Sequence, residues 1–173
     1  MLVLATGCDK KAATGPPQVY TGPLMETTNV LMLVSDSAKL KFQLTAPLQQ
    51  RFENGDAIYP KGVKVTFYSA DGTKQVVNIL TADSAKIEKA TNLYTMRGNV
   101  QVKNVPQQQR LNTEELFYDQ NKRVIYTDSA MAVKVTTPNE YLTGFGLRAN
   151  QDFSRYSITK PTGVFALEPG KVL

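Results

Sequence analysis

From Ala38 onward apolar and polar residues alternate: Ala38, Leu40, Phe42 and Leu44 fall in one register, Lys39, Lys41, Gln43 and Thr45 in the other. The same two-residue period returns at Val63, Val65 and Phe67, at Tyr94, Met96, Gly98, Val100 and Val102, and at Met131, Val133 and Val135. Successive side chains of an extended chain point to opposite faces, so the pattern predicts strands with one buried face. Turn-forming pairs separate the runs: Asn54-Gly55, Asp71-Gly72, Thr91-Asn92, Gln120-Asn121, Pro138-Asn139 and Gln151-Asp152. No stripe with a 3.6-residue period extends beyond about two turns. The expectation is a nearly all-β domain with at most a short helical turn near Ala46 to Phe52.

A longer period overlies the short one. Leu80 to Lys103, Leu111 to Lys134 and Leu142 to Phe165 form a gapless repeat, each copy starting 31 residues after the last. Every copy opens with a strand-like stretch (LTADSAKI, LNTEELFY, LTGFGLRA) and continues through a polar turn (EKATN, DQNKR, NQDFS). It closes with a second strand-like stretch (LYTMRGNVQV, VIYTDSAMAV, RYSITKPTGV). The first half reads as a looser copy: Asp-Ser-Ala occurs at Asp36, Asp83 and Asp128, and YPKGVKV from Tyr59 parallels MRGNVQV from Met96. An irregular segment from Thr45 to Asp56 interrupts this copy. Strand-turn-strand units of this size build a closed barrel, a β-helix or an open rolled antiparallel sheet, and are too short for propeller blades of about 40 to 45 residues. A sheet rolled into a V leaves an apolar inner face suited to lipid tails.

Composition narrows the chemistry. The 173 residues suit one domain with a real core, and they include no histidine, no tryptophan and one cysteine. A histidine-based triad, a histidine-containing zinc site and an intramolecular disulfide are therefore excluded. The formal charge of +5 raises the question of nucleic acid. Along the chain, however, the cations do not cluster; they alternate with apolar residues, as on the solvated face of a half-buried strand. No nucleic acid is expected as a partner, whereas an anionic membrane surface or a phosphorylated lipid headgroup is compatible with the excess.

The opening MLVLATGC reads as the tail of a secretory signal ending in a lipobox, with Ala5, Thr6 and Gly7 before Cys8. The charged n-region is missing and the apolar run is short, which makes Met1 an internal start or the chain a truncated one. Acylation of Cys8 would anchor the protein to a membrane through the flexible tether DKKAATGPPQ; the alternative is a free thiol in a frayed terminus. No run of about 20 apolar residues exists to form a spanning helix. The division expected is residues 1–8 for the signal tail and lipobox, 9–28 for the tether, 29–168 for the β-domain and 169–173 for a tail.

The segments SDSAKLKF from Ser35, ADSAKIEKATNLYTMRGNVQVKN from Ala82, LNTEELFYDQNKRVIYTD from Leu111 and LTGFGLRANQDFSRYSITKPTGVF from Leu142 resemble the LptC family of lipopolysaccharide export proteins, in its lipoprotein branch. Arg97-Gly98-Asn99-Val100, Asn112-Thr113-Glu114-Glu115-Leu116, Tyr126-Thr127-Asp128 and Gly144-Phe145-Gly146 followed by Asn150 stand in family order and spacing. The resemblance covers about Asn29 to Ala166. It implies an open β-jellyroll of the OstA-like type, on the periplasmic side of the inner membrane of a Gram-negative bacterium, sheltering the lipid A acyl chains of lipopolysaccharide. The implied partners are the membrane subunits of the export ABC transporter and an LptA-like periplasmic bridge protein, joined by edge-to-edge strand pairing. Cys8 departs from the family's usual N-terminal transmembrane helix and puts in doubt any role of such a helix at the transporter.

Groove candidates are Tyr94, Met96, Val100, Val102, Phe117, Ile125, Val133, Phe145 and Ile158. Alternation says that one face is buried without saying what covers it, so lipid groove and closed core both stand for each. Gly98 and Gly146 interrupt strand patterns, where glycine marks a bulge or a close backbone approach; the resemblance places Gly146 in a segment the family needs for assembly. Glu114 and Glu115, being adjacent, are expected on opposite faces of a strand, unable to act as paired acid and base, and with Asp119 to solvate an outer face. No catalytic residue, metal ligand or cofactor is expected, and the leading reading is a non-enzymatic lipid carrier. The alternative is a surface or periplasmic lipoprotein serving as polysaccharide-binding or structural scaffold, against which the lack of tryptophan for sugar stacking counts. A glycan-cleaving β-helix enzyme comes third, with no pair of carboxylates on one face at useful spacing.

Overall fold

The computed structural model describes residues 20–151, 153 and 155–165. Cys8, the start of the tether and the 169–173 tail lie outside these. The strands are β1 (Met25–Asp36), β2 (Lys39–Arg51), β3 (Ala57–Tyr59), β4 (Val63–Tyr68), β5 (Val76–Ala82), β6 (Ser84–Glu88), β7 (Leu93–Asn104), β8 (Gln109–Asp119), β9 (Val124–Tyr126), β10 (Ala132–Thr136), β11 (Glu140–Asn150) and β12 (Tyr156–Phe165). All pair antiparallel in one twelve-stranded sheet, and the described residues include no helix. The first strand begins at Met25, ahead of the Asn29 boundary read from the sequence.

The sheet is folded along a single crease that crosses the long strands β1, β2, β7, β8, β11 and β12. One layer consists of β3, β6 and β9 with the adjoining halves of the long strands, joined by pairs such as Ala57 with Ile87, Ile87 with Tyr94, Tyr94 with Tyr118 and Ile125 with Ala149. The other consists of β4, β5 and β10 with the remaining halves, joined by pairs such as Leu44 with Val65, Leu80 with Val102 and Val135 with Leu142. We call these the first and second layer. Where a strand passes the crease its backbone takes up one odd step. In β7 that step is Gly98 and Asn99, at φ +75° and +45°; in β11 it is Gly146, at +60°; in β12 it is Lys160, at +50°. Such two-against-one steps are bulges, which bend a strand and re-aim its side chains.

The crease explains the repeat. Gly98 and Lys160 stand two repeat periods apart, and Glu115 and Gly146 stand one period apart, all at the fold line. Each copy is therefore one hairpin whose two strands both bend at fixed places. The looser first copy fits as well: Tyr59 and Val63 flank the break between β3 and β4, with Gly62 at φ +96°, as Met96 and Val100 flank Gly98. The three Asp-Ser-Ala triplets, in contrast, occupy unlike positions. Asp36 ends β1 at a hairpin turn, Asp83 lies at the crease between β5 and β6, and Asp128 lies between β9 and β10.

The helical turn expected near Ala46 to Phe52 is replaced by strand. β2 runs to Arg51 and pairs with β1 along nearly its whole length, from Asp36 with Lys39 to Met25 with Arg51. A complete backbone ladder overrides the weak local signal, since every buried amide and carbonyl needs a partner. Pro47, which cannot donate to a ladder, stands at the crease across from Asn29 at φ +52°, where the pairing skips. The irregular segment from Thr45 to Asp56 thus reduces to a turn over residues 52–56.

The layers meet near the crease. Leu116, Tyr59 and Val100 are 0%, 1% and 1% exposed and form the tightest part of the core with Met96, Ala85 and Val133. Truncating Leu116 to Ala should cost about 3 kcal/mol in urea unfolding, transfer and cavity terms together. At Gly146 a Cβ would stand 3.1 Å from the Cα and 3.2 Å from the carbonyl oxygen of Ser129, on a left-handed backbone. Gly146→Val should therefore lower stability by about 1 to 3 kcal/mol; a variant as stable as the parent would show that the crease does not need this conformation. At the β4–β5 turn, Asp71 accepts hydrogen bonds from the Ser69 hydroxyl and from the Thr73 amide (2.9 Å) and hydroxyl (2.8 Å). These bonds, that from Ser69 first, hold its pKa at about 2 against 3.8. A depressed carboxyl pKa stabilises above the unfolded value and loses that contribution as pH falls through the folded one. NMR titration of Asp71 should show a midpoint near 2, whereas a midpoint near 3.8 would dissolve the turn network.

Candidate functional site

Strand alternation and the aligned crease arrange the inward side chains in rows that run across the strands. In the second layer the middle row reads Met32, Leu44, Val65, Leu80, Val102, Leu111, Val135, Leu142, each residue the register partner of the next. With strands about 4.8 Å apart the row is about 34 Å long, and it runs from the β1 edge to β11, where Leu142 is followed by Gly163 on the edge strand β12. It is apolar at every step. Its middle members, Leu44, Leu80, Val102, Leu111 and Val135, are buried under the facing layer, whereas Met32, Val65 and Leu142 are half-buried.

Farther from the crease lies the lip of the fold. There the inward row is Val34, Phe42, Phe67, Asn78, Asn104, Gln109 in the second layer. The corresponding row of the first layer is Ala57, Ile87, Tyr94, Tyr118, Ile125, Ala149, Tyr156. Two tilted aromatic pairs stand on this line, Phe42 with Phe67 at 5.9 Å and Tyr94 with Tyr118 at 5.6 Å between ring centroids. Asn78 is 7% exposed and its Oδ1 is a buried acceptor without a hydrogen-bond partner. An acceptor left so costs about 1 to 3 kcal/mol.

These rows carry no charged side chain. Their titratable groups are tyrosines, and burial is the first cause that raises the phenols of Tyr59, Tyr118 and Tyr156. For Tyr59 a 2.6 Å hydrogen bond from Gln49 Nε2 works against that rise, and for Tyr156 a hydrogen bond with Gln109 does. All three stay neutral across the physiological range, so the interior keeps one polarity there. Beside Tyr156 a void of about 20 Å³ lies between the layers, against Leu111, Val135, Leu147 and Phe153; it has room for about one water molecule.

Seven of the nine groove candidates face the interior. Met96, Val100, Val102, Ile125 and Val133 are buried there, and Tyr94 and Ile158 are half-buried. Phe117 and Phe145 are on the outer face. In β8 the inward positions are Leu111 and Thr113 before the crease but Leu116 and Tyr118 after it, so Phe117 turns outward and stacks on Tyr126 at 5.2 Å. In β11 they are Leu142 and Gly144, then Leu147 and Ala149, which leaves Phe145 47% exposed. The same odd step overturns the expectation for the two glutamates, which both face outward. Glu115 pairs with Arg97, and Glu114 Oε2 accepts the Asn99 amide at 3.3 Å. Asp119 pairs with Lys122 at 2.8 Å, and its hydrogen bonds to Lys122 lower its pKa.

Residues missed by the candidate set include Leu80, Leu111 and Leu142. Their signal was present, since each opens one copy of the repeat and all three fall in the middle apolar row. Asn78 and Phe67 gave no comparable sign.

The two margins of the sheet are free. Among the described residues β1 pairs only with β2, and β12 only with β11. β1 shows solvent Leu31 and Leu33, 63% and 58% exposed, and contains no lysine or proline, the residues that ordinarily blunt an edge. β12 carries Lys160 and Pro161. Among the described residues no cluster of metal-ligating side chains occurs, and no helix is long and apolar enough to cross a membrane.

No curated protein matches the chain. The family model described as lipopolysaccharide-assembly, LptC-related, matches residues 25–160, from the first strand into the last. That span takes in the crease, the apolar row, all of edge strand β1 and the first half of β12, so the chain belongs to the LptC-related family and has a role in lipopolysaccharide transport.

Proposed function

We propose that the protein is a non-enzymatic carrier that shelters the acyl chains of lipid A along the middle apolar row and passes lipopolysaccharide on at its sheet edges. The single observation that carries this reading is the row itself, apolar on each strand it crosses from the β1 edge to β11, next to the β12 edge. A hydrocarbon chain gains about 0.8 kcal/mol per methylene buried, and a row without charges or gaps gives it the same environment at each step. In the closed arrangement the middle of the row is covered by the facing layer, so tails enter from the half-buried ends and from the lip. Asn78 Oδ1 then has a use, as acceptor for a hydroxyl or amide of the amphiphile.

Open edges supply the joints. The unblunted β1 edge and the β12 edge each present backbone groups that a strand of a neighbouring jellyroll can complete. The partners in this reading are the export transporter's membrane subunits and an LptA-like bridge protein. The site is the periplasmic side of the inner membrane, where acylated Cys8 holds the domain through the tether. A polysaccharide-binding scaffold accounts less well for the row, since sugar stacking asks for exposed aromatic platforms rather than a buried aliphatic track.

Photo-crosslinking residues at Met32, Val65 and Leu142 should label lipopolysaccharide in cells, and the same residue at Tyr126 on the outer face should not. Equal labelling from both sets, or none from the row, would remove the track from consideration.

A further inference from the structure

Cations that do not cluster along the sequence do so in space. Lys103 on β7 and Arg110 on β8 are directly opposite in register, and Lys134 on β10 is diagonal to Arg110, because Arg110 pairs with Thr136 and Lys134 with Asn112. All three are exposed on the outer face of the second layer, and Lys64 points out of the same face from β4. Among the described residues none of the four has an ion-pair partner, whereas on the first layer's side Lys86, Arg97 and Lys122 each pair with a carboxylate. Like charges directly opposite on neighbouring strands are unfavourable. Their placement costs the fold something that no ion pair among the described residues offsets.

Apolar groups stand beside these cations. Tyr141 is 42% exposed and lies 4.9 Å below the ammonium of Lys134, its cross-strand partner Val164 is 71% exposed, and Phe145 shares the face. A depression of about 390 Å³ opens next to them; its lining includes Asn112, Lys134, Phe145, Lys160 and Thr162, and one carboxylate, Glu114.

We propose that the outer face of the second layer docks on an anionic phospholipid bilayer. Charge complementarity calls for a dense array of phosphates, and the four cations, spread over strands β4 to β10, meet such an array without needing a fixed spacing. The exposed tyrosine, phenylalanine and valine decide among anionic partners. Aromatic side chains with a polar tip settle at the boundary between headgroups and acyl chains, and a bilayer offers Val164 and Phe145 an apolar layer that a nucleic acid or an acidic protein surface lacks. The depression accepts a headgroup against Phe145 with its phosphate between Lys134 and Lys160. Docked in this way, the domain lies flat, with its lip and both edges still free. The inference is independent of the acyl-chain reading above, because it uses the opposite face of the same layer.

The test is partition of the full chain, carrying Cys8→Ser throughout, onto vesicles of phosphatidylglycerol with phosphatidylcholine and free of lipopolysaccharide. Each cation near an anionic surface contributes a factor of about 5, so the triple variant K103Q/R110Q/K134Q should bind about 100-fold more weakly. Its thermal midpoint should not fall, because a like-charge contact has been removed. The charge-matched triple K86Q/R97Q/K122Q on the first layer's side should bind like the parent, and binding of the parent should weaken steeply with salt. Equal loss in both triples would mean that net charge alone drives adsorption, and would overturn the proposal. So would a parent that ignores the anionic lipid, or one that binds inorganic polyphosphate but no vesicle.

Discussion

Everything in this fold depends on the demand that each strand change faces at the same line. A pleated strand alternates its side chains without exception, so a flat sheet of these sequences would bury one set of residues along its entire length. The odd backbone step at the crease breaks that rule in the long strands that cross it. It is made where the backbone can leave the β-region, at Gly98 with Asn99, at Gly146 and at Lys160, and where pairing skips at Pro47. Because the steps align, two half-sheets close on each other with Leu116, Tyr59 and Val100 between them. Were one strand to step elsewhere, its inward residues on one side of the fold would point into solvent.

This constraint also marks the boundary of what the sequence discloses. The strands, nearly all the turns and the rolled antiparallel sheet follow from two periods, one of two residues and one of 31. What alternation could not disclose is the phase change within a strand. Counting by twos from Leu111 puts Phe117 in the interior and Glu114 and Glu115 on opposite faces; the step between Thr113 and Leu116 reverses both conclusions. The cation cluster was hidden for a different reason. Lys103, Arg110 and Lys134 look evenly dispersed along the chain, and only the register of β7, β8 and β10 sets them side by side. Local propensity is the weakest guide, as the stretch from Ala46 to Arg51 is strand under the pull of its ladder with β1.

The two faces of the second layer are opposite in chemistry for the same geometric reason. A residue such as Val102 points to the interior, and its neighbours Gln101 and Lys103 point away. Repeated on adjacent strands in register, this makes a continuous aliphatic row on one side and a polar, cationic surface on the other. Neither surface needs a special motif. Each is the sum of ordinary alternation and a fixed register.

In the acyl-chain reading proposed above, the closed state bears on how the protein would release what it binds. The layers are continuous at the crease, and at the lip Gln109 and Tyr156 face each other from the two layers across a small void. Parting the lips exposes aliphatic surface at about 25 cal/mol per Å², and an acyl chain that slides in covers most of the surface it uncovers. The chain therefore exchanges layer-to-layer contact for layer-to-lipid contact, and the net gain is much smaller than full burial of the tail in a preformed cavity. When the lipid leaves, the layers close and recover the contact they had lost. A void of about 20 Å³ in place of an empty groove is in this view what keeps binding weak enough for onward transfer.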